Sequence, residues 1–441
     1  MVFEVGIGTS QNWNPTEAGK EVVTQAMSTL IQPPKFILLF STIHYEKDNG
    51  FQKILDTIYT FVSKETPLVG GTVTGFMNNH GVYTRGLTLL ACYSDEMDVA
   101  VGLGTNTKKN PEKAAQECAK TIKERIQNSK YVNKFLFENT SNGIIPSMPF
   151  MGQKRIIKIP FASKLFVQLL KIINTTFQYG VGRDDEVLNW LSKSMPDYKI
   201  QAIANYDDNK SVSNYQFYNS SYCKNSISTL AINTNASINI NISLGLKPTN
   251  TTFNISDLGL FGCTFGKINN KPASKEILKI LGWPEEYLNE RIYRRTYYYP
   301  VGYSDEETSY PHTMGLFLGD HICCTYGFKE KELKVFDVSG SRLLESIEKD
   351  LIFNIKGKDV HFVLGSACTS ILETLSSKIY LIREEFVKVL NNHPYLVVFG
   401  AGEGTYSPGK KSKYFNHSFI ITTIYKDNLA NNNSANAQEN Q

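Results

Sequence analysis

The chain has 441 residues, of which 41% are hydrophobic and 20% charged, and its formal net charge is +4. Such a length is ample for two or three domains with true hydrophobic cores, and the composition is that of an ordinary globular protein. A balance this close to neutrality argues against a nucleic-acid partner or an anionic membrane, and no run of about eighteen apolar residues is present to span a bilayer.

The opening Met1-Val-Phe-Glu-Val-Gly-Ile-Gly8 has neither the basic nor the apolar region of a signal peptide, so a cytoplasmic location with reduced thiols is expected. Residues 3 to 8 read as a short strand. Asn14-Pro15 then supplies an N-cap with proline at the first helical position, ahead of a helix with Val23, Met27 and Leu30 on one face. Phe36-Ile-Leu-Leu-Phe40 is a continuous apolar run, the pattern of a strand buried on both faces. Phe51, Ile54, Leu55, Ile58, Phe61 and Val62 follow at helical spacing.

Next comes Pro67-Leu-Val-Gly-Gly-Thr-Val-Thr-Gly-Phe-Met77, an apolar strand breaking into a glycine turn, passing a polar tip and returning over 84–93. A strand over 98–104 and a helix capped by Asn110-Pro111 complete an α/β first part, with Ala114, Ala115, Cys118, Ala119 and Ile122 facing inward. Residues 128–160 interrupt the rhythm with Pro146, Pro149 and Pro160, and helices are expected near 163–176 and 184–193. From 200 to 265 the chain is rich in Asn, Ser and Thr with β-branched alternation, as in Ser237-Ile-Asn-Ile-Asn-Ile-Ser243, which predicts half-exposed antiparallel strands.

A helix over 272–288 precedes an expected domain boundary near 290. Beyond it, Tyr293-Arg-Arg-Thr-Tyr-Tyr-Tyr-Pro300 interleaves basic and aromatic residues but reads better as an exposed strand ended by proline than as a nucleic-acid surface. Strands are expected at 315–318, 334–338, 359–364, 395–399 and 414–425, with a helix near 368–390. The Asn-rich tail, residues 427–441, is expected to be disordered.

The glycine turn recurs in Tyr395-Leu-Val-Val-Phe-Gly-Ala-Gly-Glu-Gly-Thr-Tyr406. Repetition of this element predicts two related sheet-and-helix domains, residues 1–290 and 291–426, in a mixed α/β (α+β) fold whose glycine-turn hairpins face a shared cleft. Clustered glycines after a strand let a ligand approach bare backbone. Gly70, Gly71, Thr72, Thr74 and Gly75 from the first turn, and Gly400, Gly402, Glu403 and Asn416 from the second region, are therefore candidate ligand contacts. A solvated hairpin is the alternative for each turn. His44 lies just past the buried strand, where open α/β sheets bind ligands, though such a histidine also serves structural roles.

Catalytic motifs are missing or broken. Gly404-Thr-Tyr-Ser-Pro-Gly409-Lys410-Lys411 approaches a phosphate-binding P-loop, but Lys411 replaces the required hydroxyl and a strand follows where a helix is needed. Gly6-Ile-Gly8 and Gly180-Val-Gly182 lack the third glycine of the dinucleotide fingerprint, and Gly71-Thr-Val-Thr-Gly75 puts valine where a nucleophile elbow holds its nucleophile. No enzyme activity, catalytic residue or metal is expected; His321-Ile-Cys323-Cys324 has no matching second pair to make a zinc site. Cys368 is a candidate reactive thiol if it opens a helix, and an inert buried one otherwise.

With these residues placed, the chain resembles the FIST family, whose members pair an N-terminal with a C-terminal FIST domain. The resemblance is carried by Val5-Gly-Ile-Gly-Thr-Ser10, Phe36 to Phe40, Leu68 to Gly75, Ala100-Val-Gly-Leu-Gly104, Tyr310-Pro-His-Thr-Met-Gly315 and the block from His361 through Gly400-Ala-Gly-Glu-Gly404 to Ser418. It implies a sensory, signal-transducing module that binds a small ligand, amino acids among the candidates, and passes the signal to a separate protein. A protein-interaction scaffold or substrate adaptor in ubiquitin-dependent degradation is the alternative. A haem-based nitric oxide sensor, using His44 or Cys368, is a weaker one, and otherwise no cofactor is expected. One departure is that the family's internal glycine-rich turn, expected near 204, is here Ala204-Asn-Tyr-Asp-Asp-Asn209.

Overall fold

The computed structural model describes residues 2–145, 147–148, 152–158 and 163–426. The Asn-rich tail lies outside the described residues.

Three six-stranded sheets share one strand order. The first runs Phe3–Ser10, Leu87–Ser94, Phe36–Ser41, Leu68–Thr72, Gln216–Tyr218, Ser221–Cys223. The second runs Met97–Thr105, Ser226–Thr234, Asn133–Ser141, Lys199–Asn205, Glu403–Tyr406, Lys413–Phe415. The third runs Ser237–Ser243, Phe419–Lys426, Asp359–Cys368, Tyr395–Gly400, Gly75–Asn78, Gly81–Tyr83. In each sheet the third and fourth strands are parallel and every other pairing is antiparallel.

The last two strands of each sheet come from another sheet's chain, in cyclic order. After Leu68–Thr72 the chain crosses to the third sheet; after Tyr395–Gly400 it crosses to the second; after Lys199–Asn205 it crosses to the first. Both glycine turns recognised in the sequence are such crossings, and Asn205–Asn209 belongs to the third, glycine-free one. The glycines are required by close approach of backbones. A Cβ on Gly400 would lie 2.6 Å from the Ala204 carbonyl oxygen, and one on Gly71 would lie 2.5 Å from that of Tyr215.

Each sheet buries one face under helices. Pro15–Met27 and Gly50–Ile58 cover the first, Pro111–Ile126 and Asp184–Ser194 the second, and Gly340–Ile347 with Tyr380–Leu390 the third. The expected caps form: Asn14 Oδ1 accepts from Thr16 N at 2.9 Å, and Asn110 Oδ1 from Lys113 N at 3.0 Å. The opposite faces meet in one core that joins Phe36 and Phe40 to Phe76, Phe137, Leu230, Phe362 and Leu396.

A fourth sheet has nine strands, eight of them inserted between Ser237–Ser243 and Asp359–Cys368 and the ninth, Ile156–Ile157, added at its edge. Its strand Leu246–Gly259 pairs with Glu332–Val338, and Thr264–Ile268 with His321–Cys324, so its pairings run across residue 290. Three local expectations are corrected. The segment 293–300 opens as the helix Ile292–Thr296 instead of an exposed strand, because Ile292 and Thr296 are buried on one face at helical spacing. The helix expected over 368–390 is broken at Ser376 (φ +48°), and the strand expected over 414–425 breaks at His417 (φ +57°).

Candidate ligand cavity

Ligands of α/β sheets gather at the carboxyl ends of parallel strands. Two of the three parallel pairs end together here, and a cavity of about 110 Å³ opens between them and the fourth sheet. Asn142, Gly143 and Tyr206 line it from the second sheet; Cys368, Thr369, Ser370 and Ala401 line it from the third. Tyr297, Leu316 and Cys324 come from the inserted part, while Leu170 and Leu260 close the outer side.

Arg155 supplies the charge. Its carbonyl accepts from Phe317 N at 2.8 Å, which fixes the backbone at the edge of the fourth sheet. Its guanidinium lies 4.1 Å over the ring of Tyr293. It donates to the carbonyls of Gly315 (3.2 Å) and Asn209 (3.1 Å) and to Ser211 Oγ (3.4 Å), all of them neutral. Glu290, the nearby acid, accepts from the main-chain amides of Arg155 and Ile156 instead. Asn209 itself is held by the Tyr297 hydroxyl at 2.8 Å. Ser370 is buried beside Cys368, and its side chain bonds that thiol.

Cys368 ends its strand and N-caps the short helix Thr369–Leu375, and its amide donates to Ser418 O at 2.9 Å. Burial, reinforced by the neighbouring Glu403, pushes the thiol up to about 12, so it stays protonated. Glu403 is fully buried behind the cavity wall and does not line it. Its Oε2 accepts from Ser418 Oγ at 2.7 Å, and Oε1 has no partner. Burial therefore raises its pKa well above the usual carboxylate range. Asn416 also stands behind the wall and braces three lining residues: Oδ1 accepts from Thr313 N (3.1 Å) and Thr325 Oγ1, and Nδ2 donates to Ala401 O (2.9 Å).

The remaining candidates are drawn into the crossings. Thr74 Oγ1 lies 2.7 Å from Thr369 Oγ1 and donates to Asp207 O at 2.9 Å, one step from the cavity. Thr72 Oγ1 accepts from Tyr215 N at 3.0 Å. Gly70, Gly71, Gly75, Gly400 and Gly402 pack against protein atoms and none is in the lining. His44 stands apart as well, bonded through Nδ1 to Thr42 Oγ1 (3.0 Å) and edge-on to Trp13, with burial lowering its pKa. His44 and Cys368 thus do not meet in the cavity. Among the described residues no group of three or more His, Cys, Asp or Glu is placed to hold a metal ion, and no helix is long and apolar enough to cross a membrane.

Sequence reasoning missed Arg155, Tyr206, Tyr293 and Tyr297. The last two are four residues apart, the spacing of one helix face, in the basic and aromatic segment first read as a strand. Arg155 falls where the sequence shows no periodicity.

The model of the FIST N domain matches residues 35–258, half of the chain. The chain belongs to the FIST family. Among solved structures, the FIST chain is similar to cyanuic acid hydrolase from A. caulinodans at 7% identity, over 97% of this chain and 100% of that one, with a TM-score of 0.33. No curated protein matches it. FIST membership is in keeping with a sensory, signal-transducing role.

Proposed function

We propose that this FIST protein is a non-enzymatic intracellular sensor whose cavity takes a small carboxylate, an amino acid or a close relative. The observation that carries the reading is Arg155, a half-buried guanidinium at the cavity wall whose protein partners are all neutral. A guanidinium in that state favours a planar anion, which it can grip with two parallel bonds. Leu170, Leu260 and Leu316 offer an apolar wall for the rest of the ligand, and Ser370 adds a hydroxyl beside the Cys368 thiol. Binding without chemistry is supported by the protonated state of Cys368.

A thermal-shift screen of amino acids and small carboxylic acids tests this. A ligand at a hundred times its Kd stabilises by about 2.7 kcal/mol. Arg155→Gln is expected to abolish the shift while the unliganded protein melts within a few degrees of wild type. If a carboxylate shifts both proteins equally, or if none shifts the wild type, the reading fails.

A further inference from the structure

The helix Ser163–Phe177 has two apolar faces. The inner one, with Val167 and Leu170 buried, closes the cavity. The outer one carries Leu165, Leu169 and Ile172 at exposures of 74%, 48% and 59%. Leu165, Leu169 and Ile172 follow i, i+4, i+7 spacing, so they form one stripe. Isolated exposed apolar residues are normal; a contiguous stripe over two turns of a helix marks an interaction site.

Charge identifies the partner. Between Glu138 and Asp184 the chain has no acidic residue, but it has Lys154, Arg155, Lys158, Lys164, Lys171 and Arg183. Lys164 reaches Asp257 at 3.1 Å, Arg183 pairs with Glu186, and Arg155 serves the cavity. Lys154, Lys158 and Lys171 remain as exposed cations beside the apolar stripe or in the strand segment preceding it. Glu290 and Asp257 are the acids the fold brings beside this segment, and the basic residues outnumber them.

We propose that the outer face of Ser163–Phe177 docks on an anionic phospholipid surface. The apolar stripe enters the headgroup–acyl boundary with the helix axis in the membrane plane, and the lysines meet lipid phosphates and carboxylates. A bilayer fits better than an acidic protein because the stripe is a row of aliphatic side chains, and its exposed polar neighbours Lys164, Gln168 and Lys171 lie along one edge. The inference is independent of what the cavity holds.

The test is sedimentation of the full chain with phosphatidylcholine vesicles, with and without one third phosphatidylserine. Phosphatidylserine vesicles are expected to retain the protein at low salt, with the lysine contribution lost at high salt. Leu165→Ser with Ile172→Ser should weaken retention by about tenfold or more. Lys154→Gln, Lys158→Gln and Lys171→Gln together should weaken it by about a hundredfold. All these positions are exposed, so both variants should melt with the wild type. Failure to bind phosphatidylserine vesicles, or retention unchanged in the Leu165/Ile172 variant, overturns the proposal. So does a dimer in light scattering that this variant dissociates, which would give the face to a second copy of the chain.

Discussion

Replacing Glu403 by glutamine should change the pH dependence of stability and leave ligand binding alone. The carboxyl is fully buried, with one oxygen bonded to Ser418 and the other unpartnered. Burial raises its folded-state pKa above the ordinary value of 4.5. Below that ordinary value the group is protonated folded and unfolded, and its favourable share of stability is fully present. As pH rises past it, the unfolded chain ionises and the folded one keeps its proton, so stability falls. The slope approaches RT ln 10, about 1.4 kcal/mol per pH unit, until the folded carboxyl ionises too. Glutamine has no such proton and can still accept from Ser418 through its amide oxygen. Near pH 4.5 the two proteins should agree to within about 1 kcal/mol. Urea titrations at successive pH values should then move in the variant's favour by about 1 kcal/mol per unit. Glu138, also buried and raised, titrates in both proteins and cancels from the difference. Parallel stability curves would show that Glu403 is ionised in the fold and refute the argument.

Gly400→Ala drives a methyl to 2.6 Å from the Ala204 carbonyl oxygen, a backbone atom held in a sheet, and should cost about 1–3 kcal/mol in urea denaturation. Asn416→Ala removes the brace behind Ala401, Thr313 and Thr325; a loss of about 1–3 kcal/mol is expected, together with a weaker ligand-induced thermal shift. Cys368 should resist iodoacetamide at pH 8 in the native protein and react once it is unfolded, because with a pKa of about 12 only about one thiol in ten thousand is ionised. Mass spectrometry after timed labelling decides it, and rapid native alkylation would show that the thiol is not held protonated.

Much of the architecture was legible because its signals are local. Asn14-Pro15 and Asn110-Pro111 announce their helices, and Phe36 to Phe40 announces a strand buried on both sides. The glycine turns were also visible, but their purpose was not. A glycine that admits a ligand and one that admits a neighbouring carbonyl leave the same trace in sequence, and only the partner strand, hundreds of residues away, distinguishes them. The third crossing escaped because Asn205 and Tyr206 make it without glycine; Asn205 Nδ2 donates to Thr72 O across it. The cavity was the least legible feature. Its charge stands on an irregular segment and its aromatics on a short helix, and they are brought together by an insertion whose pairing no periodicity records.

The cyclic strand exchange also bears on how the chain reaches its native state. Gly75–Asn78 finds its partner more than three hundred residues later, in Tyr395–Gly400. Contacts of such sequence separation raise the loop-closure entropy of the folding transition state and slow it. Until the carboxyl-terminal strands are synthesised, the first part presents Gly75–Asn78 without its neighbour and the second sheet lacks Glu403–Tyr406. Bare strand edges of that kind recruit other chains. A ribosome-bound chain therefore keeps these edges open until its last strands are made.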